Sequence, residues 1–211
     1  MTTKAKKTAI ESTGKCVMVK PIDLIGLRFR IIGTSPLVVH NWSKKAMAML
    51  RMTAAERRKV PKVARDPETE SEGATYRTAD GRHGILAMAV KTAMITAAHK
   101  DMGLPRSVVM KAIRFAESGV IPLECEEPII REDVVRVGMG ATDLRYRPQY
   151  TKWAATIRMD YDAESLTSQD VINLVNRAGF SVGIGEWRAE KGGELGSFVI
   201  DMDSVEEIRT K

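Results

Sequence analysis

A glycine-rich segment near the C-terminal end of the chain carries the residue types best suited to binding a phosphate. Glycine permits positive φ and close backbone approach, so such a loop can present successive N–H groups to an anion. Arg188 and Lys191 add positive charge within the same segment. The residues therefore predict a phosphate-binding loop, with a glycine-rich turn that merely reverses the chain as the alternative. Five of the 16 glycines lie here: Gly183, Gly185, Gly192, Gly193 and Gly196.

Two familiar nucleotide-binding motifs are excluded by the surroundings of this loop. The predicted order is helix, loop, strand, whereas a dinucleotide-binding fingerprint follows a strand and opens a helix. The chain also has no GxxxxGK segment followed by Ser or Thr, so it contains no P-loop. The loop therefore predicts an anion site of neither type.

Arg145, Tyr146 and Arg147 form a second candidate site. An aromatic ring between two arginines can stack on a base while the arginines hold neighbouring phosphates. The three residues fall in a predicted projecting hairpin at about residues 138–150. Other aromatic residues that fit either base stacking or a place in the core are Trp42, Tyr150 and Trp187.

Clustered cations elsewhere fit the track of a nucleic-acid backbone, because phosphate neutralisation needs several Lys or Arg side chains close together. The first cluster crowds a predicted helix and its exit: Lys44, Lys45, Arg51, Arg57, Arg58, Lys59, Lys62 and Arg65. A second set flanks the predicted hairpin: Arg131, Arg136, Arg145, Arg147 and Lys152. A solvated helix face and ordinary loop charges are the alternative interpretation of both sets.

Residues suited to catalysis or to metal binding are few. The histidines His40, His83 and His99 share no motif with a nucleophile or a carboxylate, and general acid–base chemistry requires a positioned partner. Cys16 and Cys125 lack CxxC spacing and a histidine partner. We therefore predict a protein that is not an enzyme and that has neither a cofactor nor a bound metal.

The composition is that of an ordinary globular chain with a basic surface. Hydrophobic residues make up 44% of the chain and charged residues 28%, and the net charge is +6. The apolar runs are far shorter than the roughly 20 residues of a membrane helix. The first ten residues carry lysines and no hydrophobic signal-peptide core. We therefore expect a cytoplasmic protein with polyanionic partners.

The elements that must position these residues follow from hydrophobic periodicity and from capping residues. Predicted strands cover about 26–33, 120–125, 128–137, 151–161 and 197–202. Predicted helices cover about 43–59, 84–99, 107–118 and 167–177. The stretch 61–81 mixes Pro, Glu, Asp and Gly and predicts an exposed excursion. This order predicts an α+β fold, a ferredoxin-like antiparallel sheet with helices on one face and with large insertions.

One domain preceded by a basic arm accounts for the chain. The arm covers residues 1–20, and the domain spans 21–203 with insertions at about 43–81 and 131–150. A short tail covers 204–211. A domain of this size can build a sizeable core without disulfides or metals.

Besides the glycine loop, a second segment, residues 84–94, places Lys91 in a predicted helix start that otherwise consists of small and apolar residues. Together the two segments resemble the RAMP superfamily of CRISPR proteins, above all the backbone subunits that coat guide RNA. The resemblance covers most of the predicted domain, and residues 183–196 are the better match. The helix start departs from the Gly and Ser residues of the family, with Ala87, Met88 and Ala89 in their place.

The resemblance implies an RRM-related core and a non-catalytic protein that binds single-stranded nucleic acid, with RNA favoured over DNA. It implies a homo-oligomer or filament along the strand, other effector-complex subunits as further partners, and a part in antiviral defence. The residues expected to contact the strand, from their types and from the resemblance, are Lys44, Lys45, Arg51, Lys91, Arg145, Tyr146, Arg147, Gly183, Gly185, Arg188, Lys191, Gly192 and Gly193.

Alternatives of other classes stay open. A single-strand DNA binding or annealing protein would use the same cations. A structural oligomer of phage or mobile-element origin would use the same fold without nucleic acid. His40, beside Asn41 and Trp42 and after a predicted strand, is the residue that a ribonuclease of the superfamily would use.

Overall fold

A computed structural model describes residues 21–61, 64–117, 119–137 and 140–209 of the chain. Its strands, numbered along the sequence, are β1 (Leu24–Gly33), β2 (Leu37–Val38), β3 (Tyr76–Arg77), β4 (His83–Leu86), β5 (Ile113–Phe115), β6 (Val120–Pro122), β7 (Glu124–Cys125), β8 (Ile129–Val137), β9 (Ala141–Tyr150), β10 (Trp153–Asp162) and β11 (Phe198–Arg209). Its helices are α1 (Lys44–Arg51), α2 (Ala54–Lys59), α3 (Pro67–Gly73), α4 (Ala87–Met102), α5 (Arg106–Ala112) and α6 (Ser168–Ser181), with a 3-10 turn at Ala189–Lys191. The predicted basic arm at residues 1–20 lies outside the described residues.

The main sheet is antiparallel and has the strand order β11-β1-β10-β5, with β7 pairing with another part of β10. β1 lies in the middle and pairs with β10 from Leu24 opposite Asp162 to Ile32 opposite Ala154. The chain builds this sheet and its helices in the order β1, α4, β5, β10, α6 and β11, which is a β-α-β-β-α-β course. The predicted α+β class is therefore confirmed.

The two faces of the main sheet differ in burial because side chains alternate along a strand. Leu27, Phe29 and Ile31 of β1 are fully buried, whereas Arg28 and Arg30 point to the other, open face. The buried face shares one core cluster with apolar residues of α4 and α6. The helices of the core therefore cover one face of the sheet.

On the open face, the two arginines of β1 form ion pairs. Arg28 lies 3.3 Å from Glu206, and Arg30 lies 2.8 Å from Glu124 and 3.6 Å from Asp201. These side chains are exposed enough that each pair contributes only about 0–1 kcal/mol. Arg28 and Arg30 are therefore paired with carboxylates of neighbouring strands, whereas Arg158, directly opposite Arg28 on β10, is exposed.

Residues 43–59, predicted as one helix, form two. α1 ends because Met52 has an extended backbone. α2 starts again at a capping box in which Thr53 and Glu56 exchange hydrogen bonds. The helix is interrupted by a new N-terminal cap inside a polar stretch, and hydrophobic periodicity does not reveal such a cap.

Three other predicted boundaries also need correction. The predicted excursion at 61–81 contains α3, which the Asp66 side chain caps. The predicted helix at 84–99 begins only at Ala87, since the residues before it pair with β6 as strand β4. The predicted helix at 107–118 is α5 followed directly by β5, because β5 pairs with β10 at the edge of the main sheet.

The predicted tail at 204–211 is strand as far as Arg209. The ladder between β1 and β11 shifts its register and then resumes opposite Arg28. Across the shift, the Arg30 amide donates to the Ser204 hydroxyl at 2.8 Å, which replaces the missing backbone partner. A β-bulge therefore lets β11 continue beyond the point where its alternation breaks.

Two further small sheets have the orders β2-β9-β8 and β3-β4-β6. β8 and β9 make the predicted hairpin and pair from Ile129 opposite Gln149 to Val137 opposite Ala141. Residues 138 and 139, between the two strands in sequence, lie outside the described residues. β2 continues the chain after β1 and pairs with the end of β9. The hairpin is therefore anchored beside the end of β1.

Gly179 provides a test of how closely α6 packs on β11, because a Cβ at this position would overlap the Phe198 carbonyl. We predict that Gly179→Ala lowers the free energy of unfolding by about 1–3 kcal/mol, although alanine is the better helix former. Urea denaturation followed by circular dichroism measures the change. Gly119→Ala is the matched control, because nothing lies within 4 Å of its added Cβ. A Gly179→Ala protein as stable as the control would contradict this packing.

Candidate functional site

Several segments that are distant in sequence meet beyond the end of β1. The Glu186 amide donates to the Val38 carbonyl at 2.8 Å, which joins the glycine loop to β2. The Tyr76 hydroxyl donates to the His40 carbonyl at 3.2 Å, which joins β3 to the segment after β2. Since β2 also pairs with β9, the hairpin reaches the same place. We call this meeting point the junction; its polar residues are His40, Tyr76, Asp133, Arg145, Arg147 and Glu186.

The glycines of the loop allow its backbone to fold back on itself. A Cβ at Gly193 would overlap the Trp187 carbonyl, and one at Gly196 would overlap the Ile184 carbonyl. Gly185 has a φ of 78° and lies against the Val38 carbonyl. These positions need glycine because backbone packs on backbone.

Backbone amides of the loop donate hydrogen bonds mainly to carbonyls of the same segment. Glu190 donates to the Val182 carbonyl at 3.1 Å, and the amides of Lys191 and Gly193 both donate to Arg188. Gly192 donates to the Ala189 carbonyl at 3.0 Å. The predicted row of free N–H groups is therefore absent at residues 190–193, and this geometry favours the alternative in which the glycines shape a turn.

The two cations of the loop differ in availability. The Arg188 guanidinium donates to the Glu190 carboxylate at 2.9 Å and to the Gly185 carbonyl at 3.1 Å. Glu190 also accepts from Lys100 at 3.1 Å, which ties the loop to the end of α4. Lys191 is exposed and has no ion-pair partner among the described residues. Of the two predicted contacts, Lys191 is the one whose charge faces solvent.

A cleft of about 260 Å³ separates the start of α4 from the glycine loop. Its walls include Met88 and Thr92 on one side and Ile184 and Arg188 on the other. The two segments of the family resemblance are therefore neighbours in space. Lys91, however, does not line this cleft: its ammonium group donates to the Ile113 carbonyl at 2.7 Å and so ties α4 to β5. Burial and then the Arg114 charge lower the pKa of Lys91.

The hairpin places Arg145, Tyr146 and Arg147 in different environments. Tyr146 points to the face opposite the two arginines, because side chains alternate along β9. Arg145 and Tyr146 are partly exposed, but Arg147 is only 2% exposed and lies 3.4 Å from Asp133 and 3.9 Å from Glu186. The prediction that both arginines hold phosphates is therefore wrong for Arg147, whose charge is buried in a structural ion pair.

Of the two roles predicted for Tyr150, base stacking or a place in the core, the structure supports the core. It is 1% exposed, and its hydroxyl lies 2.8 Å from Nδ1 of His83. Burial raises the pKa of Tyr150 far above its usual range. Trp42 and Trp187 are exposed near the junction, and Tyr146 is partly exposed.

His40 lies between two arginines and a carboxylate. Nε2 of its ring is 3.5 Å from the Arg145 guanidinium, and Nδ1 is buried without a hydrogen-bond partner, as is Nε of Arg147. Burial, then Arg147 and Arg145, lower the pKa of His40, and Glu186 opposes them. His40 is therefore neutral at pH 7 and accepts a hydrogen bond from the hairpin through Nε2.

The first basic cluster occupies α1 and α2, which we call the basic segment (residues 44–59). Ser43 and Thr53 cap the two helices, and neither helix contains a buried residue. Trp42, just before the segment, is 60% exposed. The segment carries six exposed cations, none of them within 4 Å of a carboxylate in the described part of the chain: Lys44, Lys45, Arg51, Arg57, Arg58 and Lys59.

Lys62 and Arg65 are the remaining residues of the first basic cluster. Lys62 lies outside the described residues. Arg65 is a structural contact, because its guanidinium bonds to the Leu144 carbonyl and to Asp143 of the hairpin. α3 is therefore held between the basic segment and β9.

Other kinds of site find no support in the part of the chain that the structure covers. No group of three or more His, Cys, Asp and Glu side chains there has an arrangement that could hold a metal ion. In the same residues, no helix combines the length and the apolar character needed to cross a membrane. Cys125 is a free cysteine, and burial together with Glu127 raises the pKa of its thiol. The unreactive thiol form is therefore favoured.

No family model matches the chain, and no curated protein matches it. Among solved structures, the chain is similar to one described as "Cryo-EM structure of the Type III-B Cmr-beta bound to cognate target RNA", with a TM-score of 0.44 and 9% identity. The alignment covers 89% of this chain and 61% of that chain, so this chain spans less than two thirds of its neighbour's length. The likeness is distant, and the chemistry of this protein follows from its own residues.

Acidification tests the role of His40. Its pKa is lowered in the folded protein from 6.5, so the unfolded chain binds the proton more readily. The contribution of neutral His40 to stability is complete above about pH 6.5 and is lost as the pH falls through the folded-state pKa. We predict that the melting temperature falls between about pH 7 and pH 5, and that His40→Gln, which keeps an acceptor for Arg145, shows a smaller fall.

Calorimetry at a series of pH values measures both proteins. His83→Gln is the comparison variant, because burial and then Arg77 lower the pKa of His83 as well, at a different place in the fold. It should remove a separate share of the same pH dependence. Equal pH dependence in wild type and His40→Gln would contradict the assignment of neutral His40 to the junction.

Proposed function

We propose that this protein binds single-stranded nucleic acid without cleaving it, and that RNA is favoured over DNA. The observation that carries the proposal is the basic segment, which places six exposed cations on two helices without a buried residue. Helices that add nothing to the core and concentrate positive charge are suited to a polyanionic partner. The net charge of +6 supports the same partner.

The proposed binding surface runs from the basic segment across α3 to the hairpin. Ser43, the cap of α1, lies beside Gly73 at the end of α3. Arg65, just before α3, contacts Asp143 of β9. The elements are therefore contiguous, and the six exposed cations of the basic segment suit a strand with several phosphates rather than a single small anion.

Phosphates and bases would use different groups on this surface. The lysines and arginines of the basic segment hold phosphates and release the counterions condensed on the strand. Tyr146 and Trp42 offer exposed rings on which bases stack, which tolerates any sequence because every base has an aromatic face. This mechanism needs neither a metal nor a cofactor.

The preference for RNA rests on the resemblance to RAMP proteins, as does side-by-side assembly into a homo-oligomer in the cytoplasm. The β-α-β-β-α-β course of the core supports this resemblance and its ferredoxin-like, RRM-related description. So does the glycine loop directly before the last strand. Other effector subunits are proposed as further partners on the same basis.

Absence of catalysis is part of the proposal. Nε2 of His40 faces the Arg145 guanidinium, and two arginines disfavour the protonation that a general acid would need. We predict that labelled single-stranded RNA stays intact on a denaturing gel after incubation with the protein, with and without divalent metal. Cleavage that His40→Ala abolishes would contradict this and would identify His40 as a catalytic residue.

Salt dependence tests the basic segment. We predict that the logarithm of the binding constant for single-stranded RNA falls linearly with the logarithm of salt concentration, with a slope of about −0.7 for each neutralised phosphate. Lys44→Ala combined with Lys45→Ala removes two of these cations, so the slope should become shallower by about 1.4. Fluorescence anisotropy of a labelled RNA oligomer, titrated at several salt concentrations, measures the slope.

The matched control is Arg106→Ala combined with Lys111→Ala, which removes the same charge from α5. α5 leads into β5, which pairs with the part of β10 farthest from the junction. This control should leave the slope nearly unchanged. Equal effects of the two double variants would mean that net charge alone drives binding. Failure to bind either RNA or DNA at low salt would overturn the proposal in favour of a structural oligomer.

A further inference from the structure

Trp187 has an unusual backbone for a large aromatic residue. Its φ is 53°, and it is the one non-glycine residue with positive φ among the residues that the structure describes. A side chain with a Cβ disfavours this left-handed conformation, so positions of this kind are normally glycine or asparagine. The tryptophan is therefore retained here at a cost to stability.

The surrounding loop holds Trp187 in this conformation from several sides. Its carbonyl accepts a hydrogen bond from the Leu195 amide at 3.0 Å. Gly193 packs on the same carbonyl so closely that no side chain fits there. On the preceding residue, the Glu186 amide is fixed to Val38 at 2.8 Å. Strain of this kind persists only where neighbouring contacts enforce it, and such positions cluster at binding sites.

Packing does not explain the tryptophan. The indole of Trp153 shows what a packing role requires, since it is 3% exposed and its N–H donates to the Ser35 carbonyl at 2.9 Å. Trp187 is 46% exposed, so much of its apolar surface remains in water. Neither its backbone conformation nor its burial favours tryptophan at this position, which leaves contact with a ligand as the role of the ring.

The surroundings of Trp187 indicate the chemistry of that ligand. Glu186 links it to the junction, where Arg145 is partly exposed, and Lys191 projects from the same loop. An exposed aromatic ring on a loop that also carries an exposed cation matches an unpaired base and a flanking phosphate. We infer that Trp187 is a stacking platform for a base of the bound strand, an inference that rests on the proposed function and adds a base contact to it.

Three variants at this position separate stacking from backbone strain. Trp187→Phe keeps an aromatic ring and should retain most of the affinity for single-stranded RNA. Trp187→Leu and Trp187→Asn both lose the ring and should bind roughly tenfold more weakly. Asparagine tolerates the left-handed conformation, so Trp187→Asn should melt about 2–4 °C above Trp187→Leu. Anisotropy and thermal melting measure the two effects.

An abasic oligonucleotide of equal length is the control ligand, because it keeps the phosphates and lacks the bases. Wild type and Trp187→Leu should bind it equally. A Trp42→Phe protein keeps two tryptophans, of which Trp153 is buried and Trp187 is exposed. RNA should quench its fluorescence and the abasic strand should not, which tests the contact even if substitutions at Trp187 unfold the loop.

The outcomes distinguish this inference from the function on which it rests. If wild type binds RNA with the expected salt dependence but Trp187→Leu binds equally well and RNA leaves the fluorescence unchanged, the platform is wrong and the proposed function stands. If wild type binds neither RNA nor DNA at low salt, both are wrong. Equal quenching by RNA and by the abasic strand would also overturn the base contact.

Discussion

Close backbone packing around the glycine loop is the constraint on which the candidate site depends. Gly185 lies against the Val38 carbonyl, and the Glu186 amide donates to that carbonyl. The Gly196 amide donates to the Pro36 carbonyl at 2.8 Å. The two ends of the loop are therefore tied to β2 and to the residue just before it. Because β2 pairs with β9, these bonds also set the position of the hairpin relative to the core.

A buried charge completes this arrangement. Arg147 lies between Asp133 of its own hairpin and Glu186 of the glycine loop, and its Nε has no hydrogen-bond partner. Such a pair adds little net stability because of its desolvation cost, yet removing one partner costs about 3–5 kcal/mol. Its effect is on orientation, since alternate arrangements of the hairpin would leave Arg147 buried and unpaired. Because Arg147 is held inside, Tyr146 lies on the opposite face of β9.

The sequence predicted the core better than the site, for a physical reason. Alternation in β1 and the Thr167 cap of α6 are local signals, and the structure has a strand and a helix at those places. The burial of Arg147 depends on Asp133 and Glu186, whose proximity only the folded chain creates. The contact of Lys91 with β5 and the internal use of the loop amides are equally non-local. Nothing in the sequence except the glycines around Trp187 indicates its left-handed backbone conformation.

The basic segment raises a different question, because helices of 8 and 6 residues without burial are marginal in water. Two side-chain caps stabilise their first turns, and Arg51 and the cations of α2 lie at the C-terminal ends, where the helix dipole favours positive charge. Crowding of like charges at the end of α2 opposes this effect. In the proposed complex, phosphates would remove that repulsion while leaving the caps intact. Strand binding and order in the basic segment would then be linked, since a ligand that binds only the folded form stabilises it.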